Sequence, residues 1–397
     1  MQTPVSVLSD IRVLDLTQFL AGATCTMLLG DLGADVVKVE RPDVGDAYRR
    51  AGPPFVGDDS VPFLTANRNK RSLAVDLSHP AGADVRERLL DWCDVAVVSL
   101  RPAAARRLGI GADQATASRP ALVYCAVSGF GLDGPLADAG SVDMITQASS
   151  GLMSVTGMAD SEPMRMGVPI TDYGTGMFAA LAIVAALRER ERNGRGAVLD
   201  ANLFGTAAWW GAIPLLHYQV TGSTQPRTGN IHPHIAPYQL VATADGYIAI
   251  SAPNEPSWRR LCQAVGVPEL TDDPRFSSNP QRRAHVDELN AALEERFRRA
   301  TTREWVATLS SQDVACGPVH SYADVLADPE WRWHLQLLEY PDHGREVALP
   351  ALPVRWNGTV APARRPAPAL GADNDEVLSD LGFQDADVRR LRGEGVV

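Results

Sequence analysis

The stretch most informative about the architecture runs from residue 11 to residue 39 and reads IRVLDLTQFLAGATCTMLLGDLGADVVKV. It begins with a short β-rich run at 11–16 and continues with apolar residues at helical spacing over 22–32. Gly33 follows, as is typical of a helix C-cap. A second apolar run at 35–39 then predicts a strand parallel to the first. The chain is therefore expected to start with a βαβ unit.

The same alternation of strand and helix continues along the first half of the chain. The predicted elements are strands at 73–77, 94–99 and 122–128, and helices at 81–92, 172–192 and 201–220. Gly194 and Gly196 are expected to end the long helix at 172–192. Repeated alternation of this kind predicts an α/β domain, in which helices cover a mostly parallel sheet.

The chain changes character at 225–237, where Pro, Gly, Asn and His dominate and the periodicity is lost. This composition predicts a linker into a second domain. The elements predicted beyond it are a hairpin at 239–252 that turns at Asp245–Gly246, and helices at 256–265, 285–300, 302–310 and 385–392. A length of 397 residues suits two domains better than one.

Charge and composition limit the classes of partner. The chain carries 37 basic and 48 acidic residues, for a net charge of −11, and no long Lys/Arg run, which argues against nucleic acid and anionic membranes. We find neither a run of about 18 apolar residues nor a basic and apolar leader, so we expect a cytoplasmic protein that spans no membrane. Five cysteines, none at metal-ligand spacing, predict reduced thiols and no metal site.

A glycine pattern at 129–134, GFGLDG, formally matches the G-x-G-x-x-G fingerprint of dinucleotide-binding units. In those units the last glycines open a helix whose N-terminus faces the pyrophosphate. Here Pro135 follows, with more turn residues after it, so the pattern favours a glycine-rich turn. A nicotinamide oxidoreductase stays open as the alternative. His232 and His234 lack nearby Cys or carboxylate partners and are typical of a loop rather than a metal pair.

Asp172 is predicted at the start of the long helix, where two interpretations are open. Aspartate is a favoured N-cap residue, and capping alone accounts for its presence. A carboxylate at the positive end of a helix, with Gly174 and Gly176 leaving room for a ligand, is also a plausible functional group. Arginines recur around the early βα loops, and these are Arg41, Arg68, Arg71, Arg101, Arg106 and Arg107. Arg41 and Arg101 each follow a predicted strand, which suits a phosphate-rich ligand.

A series of motifs in order carries a resemblance to a known family. They are VLDLT at 13–17, AG at 21–22, GADVVKVERP at 33–42, GD at 45–46, NKRS at 69–72, SGFG at 128–131, QA at 147–148, and Asp172 with Thr175–Gly176. On these motifs the sequence resembles the class III coenzyme A transferases over nearly its whole length. That family includes formyl-CoA transferase, carnitine CoA-transferase and the α-methylacyl-CoA racemases.

The resemblance implies roles for individual residues. It places the catalytic nucleophile on Asp172 and a second active-site carboxylate on Asp143. It places the contacts to coenzyme A on Gln18, Phe19, Leu20, Ala21, Arg41, Val75, Ser99, Leu100, Arg101, Arg107 and Leu108. Arg107 is the expected phosphate ligand among them. The nearby Gly174 and Gly176 are expected to offer backbone N–H groups to an oxyanion.

The resemblance also implies an architecture. A large Rossmann-like CoA-binding domain is expected from 1–200 and 345–397, with a parallel sheet formed from both chain ends. A linker helix and loop at 201–235, a smaller α+β domain at 236–325 and a return linker at 326–344 complete the chain. Two monomers are expected to interlock as a homodimer.

The expected activity is transfer of CoA from an acyl-CoA donor to a small carboxylic acid, through an aspartyl anhydride and an aspartyl-CoA thioester, without metal or nicotinamide. Two departures from the family pattern bear on this. Leu20 stands where formyl-CoA transferase has an active-site glutamine, and the run of glycines in that enzyme's small domain is absent, so formate–oxalate exchange is not expected. Val142 stands where the racemases have a proton-transferring histidine. A racemase, an intramolecular CoA transfer and a non-catalytic CoA-binding protein are the alternatives.

Overall fold

The computed structural model describes residues 6–340 and 345–397. The chain divides into two compact units. The first comprises Met1–Leu152, Arg165–Gly222 and His334–Val397, and the second comprises Met153–Met164 and Ser223–Trp333. The predicted return linker at 326–344 lies partly outside the described residues.

The strands of the described chain are β1 (Arg12–Leu16), β2 (Asp35–Glu40), β3 (Phe55–Val56), β4 (Asp59–Ser60), β5 (Lys70–Ala74), β6 (Val95–Val98), β7 (Val123–Ser128), β8 (Val198–Asn202), β9 (Tyr238–Ala242), β10 (Tyr247–Ser251), β11 (Ala315–Pro318), β12 (Leu335–Tyr340), β13 (Arg345–Pro350), β14 (Arg355–Trp356) and β15 (Thr359–Val360).

The α-helices are α1 (Ala21–Asp31), α2 (Val61–Ala66), α3 (Gly82–Trp92), α4 (Pro102–Arg107), α5 (Ala112–Thr116), α6 (Asp143–Ser149), α7 (Ile170–Asn193), α8 (Leu203–Trp210), α9 (Ala212–Thr221), α10 (Glu255–Ala264), α11 (Asn279–Ala284), α12 (Val286–Phe297), α13 (Thr302–Ser311), α14 (Tyr322–Ala327), α15 (Pro329–Arg332), α16 (Asn374–Asp380) and α17 (Asp385–Gly393). Short 3₁₀ turns occupy Ala47–Arg50, Leu152–Val155 and Pro268–Thr271.

A six-stranded sheet organises the first unit, in the order β5-β2-β1-β6-β7-β8. All neighbouring pairs are parallel, which confirms the predicted α/β class. The prediction that both chain ends supply strands to this sheet is wrong, because its last strand ends at Asn202. The C-terminal segment contributes α16 and α17 instead, whose apolar residues join one face of the sheet.

Two apolar cores lie on the two faces of the sheet, because successive residues of a strand point to opposite sides. Val13 and Val36 pack with α1, α7 and α8 on one face. Leu14 and Val37 pack with α3, α16 and α17 on the other. A parallel sheet that is covered on both faces explains why its strands read as nearly continuous apolar runs.

Some element boundaries differ from the predictions. The predicted strand at 73–77 is β5, Lys70–Ala74. The sequence hid its start because Lys70 and Arg71 are charged yet buried. The predicted single helix at 201–220 is wrong: its first residues belong to β8, and the rest forms α8 and α9, which meet at Gly211.

Helix α7 is long and apolar enough to pass as a membrane span by length and composition, so the expectation that the chain holds no such segment needs correction. Half of its most apolar window is buried within the fold. Ala179, Ile183 and Leu187 of this helix belong to the apolar core beneath the sheet. This packing accounts for its apolar composition as a core helix.

The second unit has a small antiparallel sheet in the order β11-β10-β9, with α10, α12 and α13 supplying its core. The β9–β10 hairpin confirms the predicted turn at Asp245–Gly246. Strand β11 was not predicted, because its four residues show no clear periodicity. Trp258 and Phe297 are fully buried in this core.

Candidate active site

The order of the sheet reverses between β1 and β6, and the loops that follow these two strands lie side by side. In open parallel sheets the crevice at such a reversal, outside the carboxyl ends of the strands, is where ligands bind. The loops are joined here by a hydrogen bond of 2.8 Å from the backbone N–H of Gln18 to the Ser99 hydroxyl. The crevice at the reversal of the strand order therefore lies at Gln18 and Ser99.

A cavity of about 310 Å³ opens beside this crevice, and we call it the switch-point cavity. Five of the eleven predicted CoA contacts line it, namely Gln18, Arg41, Val75, Leu100 and Leu108. Arg41 is exposed and its guanidinium lies 2.8 Å from the Asp43 carboxylate. The cavity has apolar walls, one basic side chain, Arg41, and acidic side chains that include Glu40 and Asp76. The apolar walls suit a flat ring, and Arg41 is the candidate contact for a phosphate group.

A second cavity of about 480 Å³ shares Gln18 and Leu100 with the first, and we call it the aspartate cavity. Its lining brings together Phe19, Ala21, Ser99, Asp143 and Asp172, which were all predicted as site residues. A neighbouring depression, lined by Phe19 and Ser99, adds the predicted contact Arg101. Residues far apart in the sequence thus meet on one edge of the sheet.

Asp172 is the third residue of α7, and Pro169 is at the N-cap. The interpretation of Asp172 as the capping residue is therefore wrong. The backbone N–H of Thr171 is instead bound by Asp143, at 2.9 Å. No hydrogen bond to the Asp172 carboxylate is found among the residues that the structure describes. Its oxygens are available to a ligand in the aspartate cavity.

Asp143, by contrast, is fully engaged. One carboxylate oxygen accepts hydrogen bonds from the backbone N–H and the hydroxyl of Thr171, at 2.9 and 2.7 Å. The other accepts a hydrogen bond of 2.7 Å from the side-chain amide of Gln147. Only 8% of Asp143 is exposed. Its carboxylate is therefore held in one position by three hydrogen bonds.

The two carboxylates set the electrostatics of the site. Burial, and then the charge of Asp143, raise the pKa of Asp172 to about 7. Burial, and then the charge of Asp172, raise the pKa of the Tyr48 phenol to about 12. Asp172 therefore holds its proton more strongly than an ordinary aspartate, because its charged form is poorly solvated. Such a shift in a cleft is typical of a functional carboxylate.

Gly174 and Gly176 do not have the predicted role at the cavity. A Cβ added to Gly174 would lie 2.7 Å from the Trp210 ring nitrogen, and one added to Gly176 would lie 2.6 Å from the Ala21 carbonyl oxygen. Both glycines are buried in helical turns, where their N–H groups belong to the helix. They allow α7 to pack closely on α8 and α1.

A buried ion pair that sequence analysis missed holds the loop after β1. The Lys38 ammonium lies 2.8 Å from Asp46 and donates to the Thr17 carbonyl at 2.9 Å. Asp46 in turn accepts hydrogen bonds from the N–H groups of Phe19, at 3.1 Å, and Tyr48, at 2.9 Å. A lysine inside an otherwise apolar strand was the available signal, because buried lysines are almost always paired.

Phe19 has a left-handed backbone, with φ of 61°, which is rare for an aromatic residue. Its ring packs edge-on against Tyr48, with 5.7 Å between centroids, and both line the aspartate cavity. The Lys38–Asp46 pair therefore holds a strained loop at the cavity wall.

The remaining predicted CoA contacts have other surroundings. Leu20 is 2% exposed and packs with Ala23 and Ala66, so its side chain is part of a small apolar core. Arg107 is exposed at the end of α4, just before Leu108 of the switch-point cavity. Among the described residues, neither lines the cavities defined above.

Two of the early arginines are structural. Arg68 is buried and binds Asp31 through two nitrogens, at 2.9 and 2.6 Å. Arg71 pairs with Asp35 on the neighbouring strand and with Asp380 of α16. Both charges are compensated within the fold, which removes them as phosphate ligands.

The glycine-rich stretch is a turn, as predicted. No helix begins at Gly134; the next helix is α6, at Asp143. The N–H of Leu132 is bound by Asp200, at 2.8 Å. His232 accepts hydrogen bonds from the N–H groups of His234 and Ile235, which makes it a turn-forming residue. Within 6–340 and 345–397, no cluster of three or more His, Cys, Asp or Glu could hold a metal ion.

Comparison with known proteins identifies the family. Residues 8–374 match the family described as CoA-transferase family III. Human succinyl-CoA:glutarate CoA-transferase is 35% identical over 99% of this chain and 90% of its own. Succinyl-CoA–D-citramalate CoA-transferase of Chloroflexus aurantiacus is 34% identical over 100% of this chain and 99% of its own.

A solved structure is similar as well. The crystal structure of a CaiB/BaiF family protein from Brucella suis superposes with a TM-score of 0.84 at 33% identity, and covers 96% of this chain and 100% of that one. The match extends over both compact units, and the sequence relatives are named as transferases. The chain accordingly belongs to CoA-transferase family III and is a CoA-transferase.

Proposed function

We propose that this chain moves CoA from an acyl-CoA donor to a free carboxylic acid, with Asp172 as the covalent nucleophile. The observation that carries the proposal is the position of Asp172. It lines a cavity that meets the switch-point cavity at Gln18 and Leu100, and its carboxylate has no hydrogen-bond partner among the described residues. The names of the relatives, which pair succinyl-CoA with glutarate or D-citramalate, support an acid as acceptor.

The first half of the reaction removes CoA from the donor. An ionised oxygen of Asp172 attacks the thioester carbonyl, the C–S bond breaks, and CoA leaves as the thiolate with Asp172 held in a mixed anhydride. The thiolate then attacks the Asp172 carbonyl, and the donor acid leaves as a carboxylate. The enzyme now carries an aspartyl-CoA thioester, and no net proton has moved.

The second half repeats these steps with the acceptor. Its carboxylate attacks the aspartyl thioester and expels the thiolate, which forms a second anhydride. The thiolate then attacks the carbonyl of the acceptor, and the new acyl-CoA leaves with Asp172 restored. Both halves need a carboxylate whose oxygens are free to attack. This supports Asp172 as the nucleophile rather than Asp143, whose two oxygens accept hydrogen bonds from Thr171 and Gln147.

The developing oxyanions need hydrogen-bond donors. Ala21 and Gly22 begin α1 and line the aspartate cavity, and the side chain of Leu20, at the N-cap, cannot accept a hydrogen bond from their N–H groups. We place the oxyanion at this helix end, where N–H groups and the helix dipole favour negative charge. Gly174 and Gly176 lie within α7 and are not part of this proposed oxyanion site.

The CoA moiety is proposed to extend from the aspartate cavity into the switch-point cavity. Val75 and Leu108 offer apolar walls there, and Arg41 offers a charge to the phosphates. Arg101 and the exposed Arg107 stay candidates for further phosphate contacts. A cytoplasmic location and an interlocked homodimer stay predictions.

A racemase of the same fold is the second candidate, but the lining of the cavity disfavours it. The residue expected to be a proton-transferring histidine is Val142, and among the described residues that line the aspartate cavity none is a histidine. Exchange at the α-carbon therefore lacks a second base.

The test is covalent trapping. Purified protein is mixed with succinyl-CoA and other acyl-CoAs, treated with hydroxylamine or borohydride, and digested for peptide mass spectrometry. We expect a hydroxamate or a reduced side chain at residue 172. Asp143→Asn serves as the control that keeps the nucleophile. Modification of wild type at another residue, or transfer by Asp172→Ala at the wild-type rate, would overturn the assignment. Deuterium uptake at the α-carbon without an adduct would favour the racemase.

A further inference from the structure

Arg165 stands out in the aspartate cavity because its charge has no catalytic assignment. Of the described residues that line this cavity, it is the one cation, beside the two carboxylates Asp143 and Asp172. The sequence motifs did not single it out. We therefore ask whether Arg165 pairs with either of these carboxylates.

The guanidinium of Arg165 neutralises neither acid. Its hydrogen bond in the structure goes to the adjacent Met166 carbonyl, at 3.0 Å, and the ion pairs of the described residues include none to Arg165. Both oxygens of Asp143 are bound by Thr171 and Gln147. The pKa of Asp172 is raised, whereas a guanidinium in contact would lower it. Most of the five donors of Arg165 are thus available to a ligand.

The segment that carries Arg165 is nevertheless tied to the reacting centre. Gln147 is 2% exposed and bridges two groups. Its amide nitrogen donates to Asp143 at 2.7 Å, and its amide oxygen accepts from the N–H of Met166 at 2.9 Å. The backbone beside Arg165 is therefore anchored to the carboxylate that flanks Asp172.

We propose that Arg165 binds the remote carboxylate of a dicarboxylic acid while the other carboxylate reacts at Asp172. The inference rests on the proposed function and narrows its substrate class. A planar guanidinium with available donors suits a carboxylate that approaches in its plane. Gln147 is a positioning residue in this arrangement, since it fixes the backbone next to Arg165 relative to the reaction site.

The experiment compares two acceptors of equal carbon number, glutarate and pentanoate, which differ in the remote carboxylate. Wild type and Arg165→Met are first loaded with CoA from the same donor, freed of donor by rapid desalting, and then mixed with each acid. Consumption of the aspartyl-CoA thioester is followed by mass spectrometry in single turnover, so that effects on the donor step do not enter. Arg165→Lys and the exposed arginine variant Arg195→Met are run in parallel.

We expect wild type to prefer glutarate over pentanoate, and Arg165→Met to lose roughly 10- to 100-fold of that preference, the size of one charge-assisted hydrogen-bonded contact. The loss should appear as a higher concentration of glutarate required for the half-maximal rate. The rate with pentanoate should be unchanged, Arg165→Lys intermediate, and Arg195→Met equal to wild type.

The outcomes separate the two proposals. If Arg165→Met loads and transfers with the wild-type preference for glutarate, or slows equally with both acids, the role of Arg165 is wrong while covalent transfer stands. If wild type shows no difference between the two acids, the dicarboxylate class is wrong. If wild type never acquires CoA at Asp172, the proposed function fails, and the inference falls with it.

Discussion

Thr171 donates two hydrogen bonds to a single oxygen of Asp143, from its backbone nitrogen at 2.9 Å and from its hydroxyl at 2.7 Å. The next residue in the chain is Asp172, so this contact holds one carboxylate beside the other at the start of α7. Asp143 is buried and accepts a hydrogen bond from a backbone N–H in the first turn of α7. Asp172 lines the cavity and has a raised pKa. Two acids of one cavity thus lie in different environments, as in many acid and base pairs.

The first prediction concerns the pH dependence of loading. Because Asp172 is proposed to attack as the carboxylate and its pKa is about 7, the rate of adduct formation should fall as pH drops below 7. Asp143→Asn removes the neighbouring negative charge, so the pKa of Asp172 should decrease and the inflection should move to lower pH, by on the order of one unit. The measurement is the rate of CoA loading from pH 5.5 to 9.

A control follows from the same contacts. Thr171→Val removes the hydroxyl donor to Asp143 but leaves both charges, so it should cost stability and leave the inflection nearly in place. An inflection of Asp143→Asn at the same pH as wild type would show that Asp143 does not set the pKa of Asp172.

The second prediction concerns stability. The pKa of Asp172 is 3.8 when unperturbed and about 7 in the fold, so the folded state holds this proton more strongly than the unfolded state. The resulting cost to stability is absent below pH 3.8, grows as pH rises, and is complete above pH 7. Asp172→Asn carries no charge and avoids it, so the variant should be more stable than wild type at pH 8 by on the order of 1–3 kcal/mol.

Urea unfolding of wild type and Asp172→Asn at pH 4.5 and pH 8 measures this difference. The difference in unfolding free energy between the two proteins should be small at pH 4.5 and larger at pH 8. Asp133→Asn, a change in an exposed turn, should show no such widening. A difference in unfolding free energy of equal size at both pH values would mean that burial and Asp143 do not raise the pKa of Asp172.

The third prediction concerns the loop after β1. Asp46→Ala removes the acceptor for the N–H groups of Phe19 and Tyr48 and the carboxylate that pairs with Lys38. The left-handed backbone at Phe19 should then relax, and the single-turnover rate of loading should fall roughly 10- to 100-fold. Asp46→Asn keeps one acceptor oxygen and should recover part of the rate.

A buried ion pair elsewhere supplies the matched control. The side chains of Arg68 and Asp31 are buried, as are those of Lys38 and Asp46, but neither Arg68 nor Asp31 lines either cavity. Asp31→Asn should lower stability and leave the loading rate of the folded protein near wild type. If both variants lower the rate equally after correction for folded fraction, the Asp46 contacts are structural only.

These residues also show where the sequence stops being informative. The apolar runs of β1, β2 and β6 and the helical spacing of α1 predicted the parallel sheet, because burial on both faces demands such runs. The start of β5 was missed because Lys70 is charged, and only the fold brings its ammonium to 2.9 Å from Asp15. Family motifs located Asp172 and Asp143. The free guanidinium donors of Arg165 and the left-handed Phe19 depend on three-dimensional contacts that no local pattern reports.

The last prediction concerns the phosphates of CoA. Arg107 is exposed at the end of α4 with Leu108 of the switch-point cavity next to it, so a flexible arginine there can reach a phosphate at the rim. Arg107→Ala should raise the KM for acyl-CoA about 10-fold and leave kcat nearly unchanged, because the contact is equal in ground and transition states. Arg106→Ala removes the neighbouring exposed charge, whose side chain lines a different cavity, and should have a smaller effect. Titration of each variant with CoA gives the affinities directly, and steady-state kinetics gives kcat. A fall in kcat alone for Arg107→Ala, with CoA affinity intact, would mean that this arginine is not a phosphate ligand.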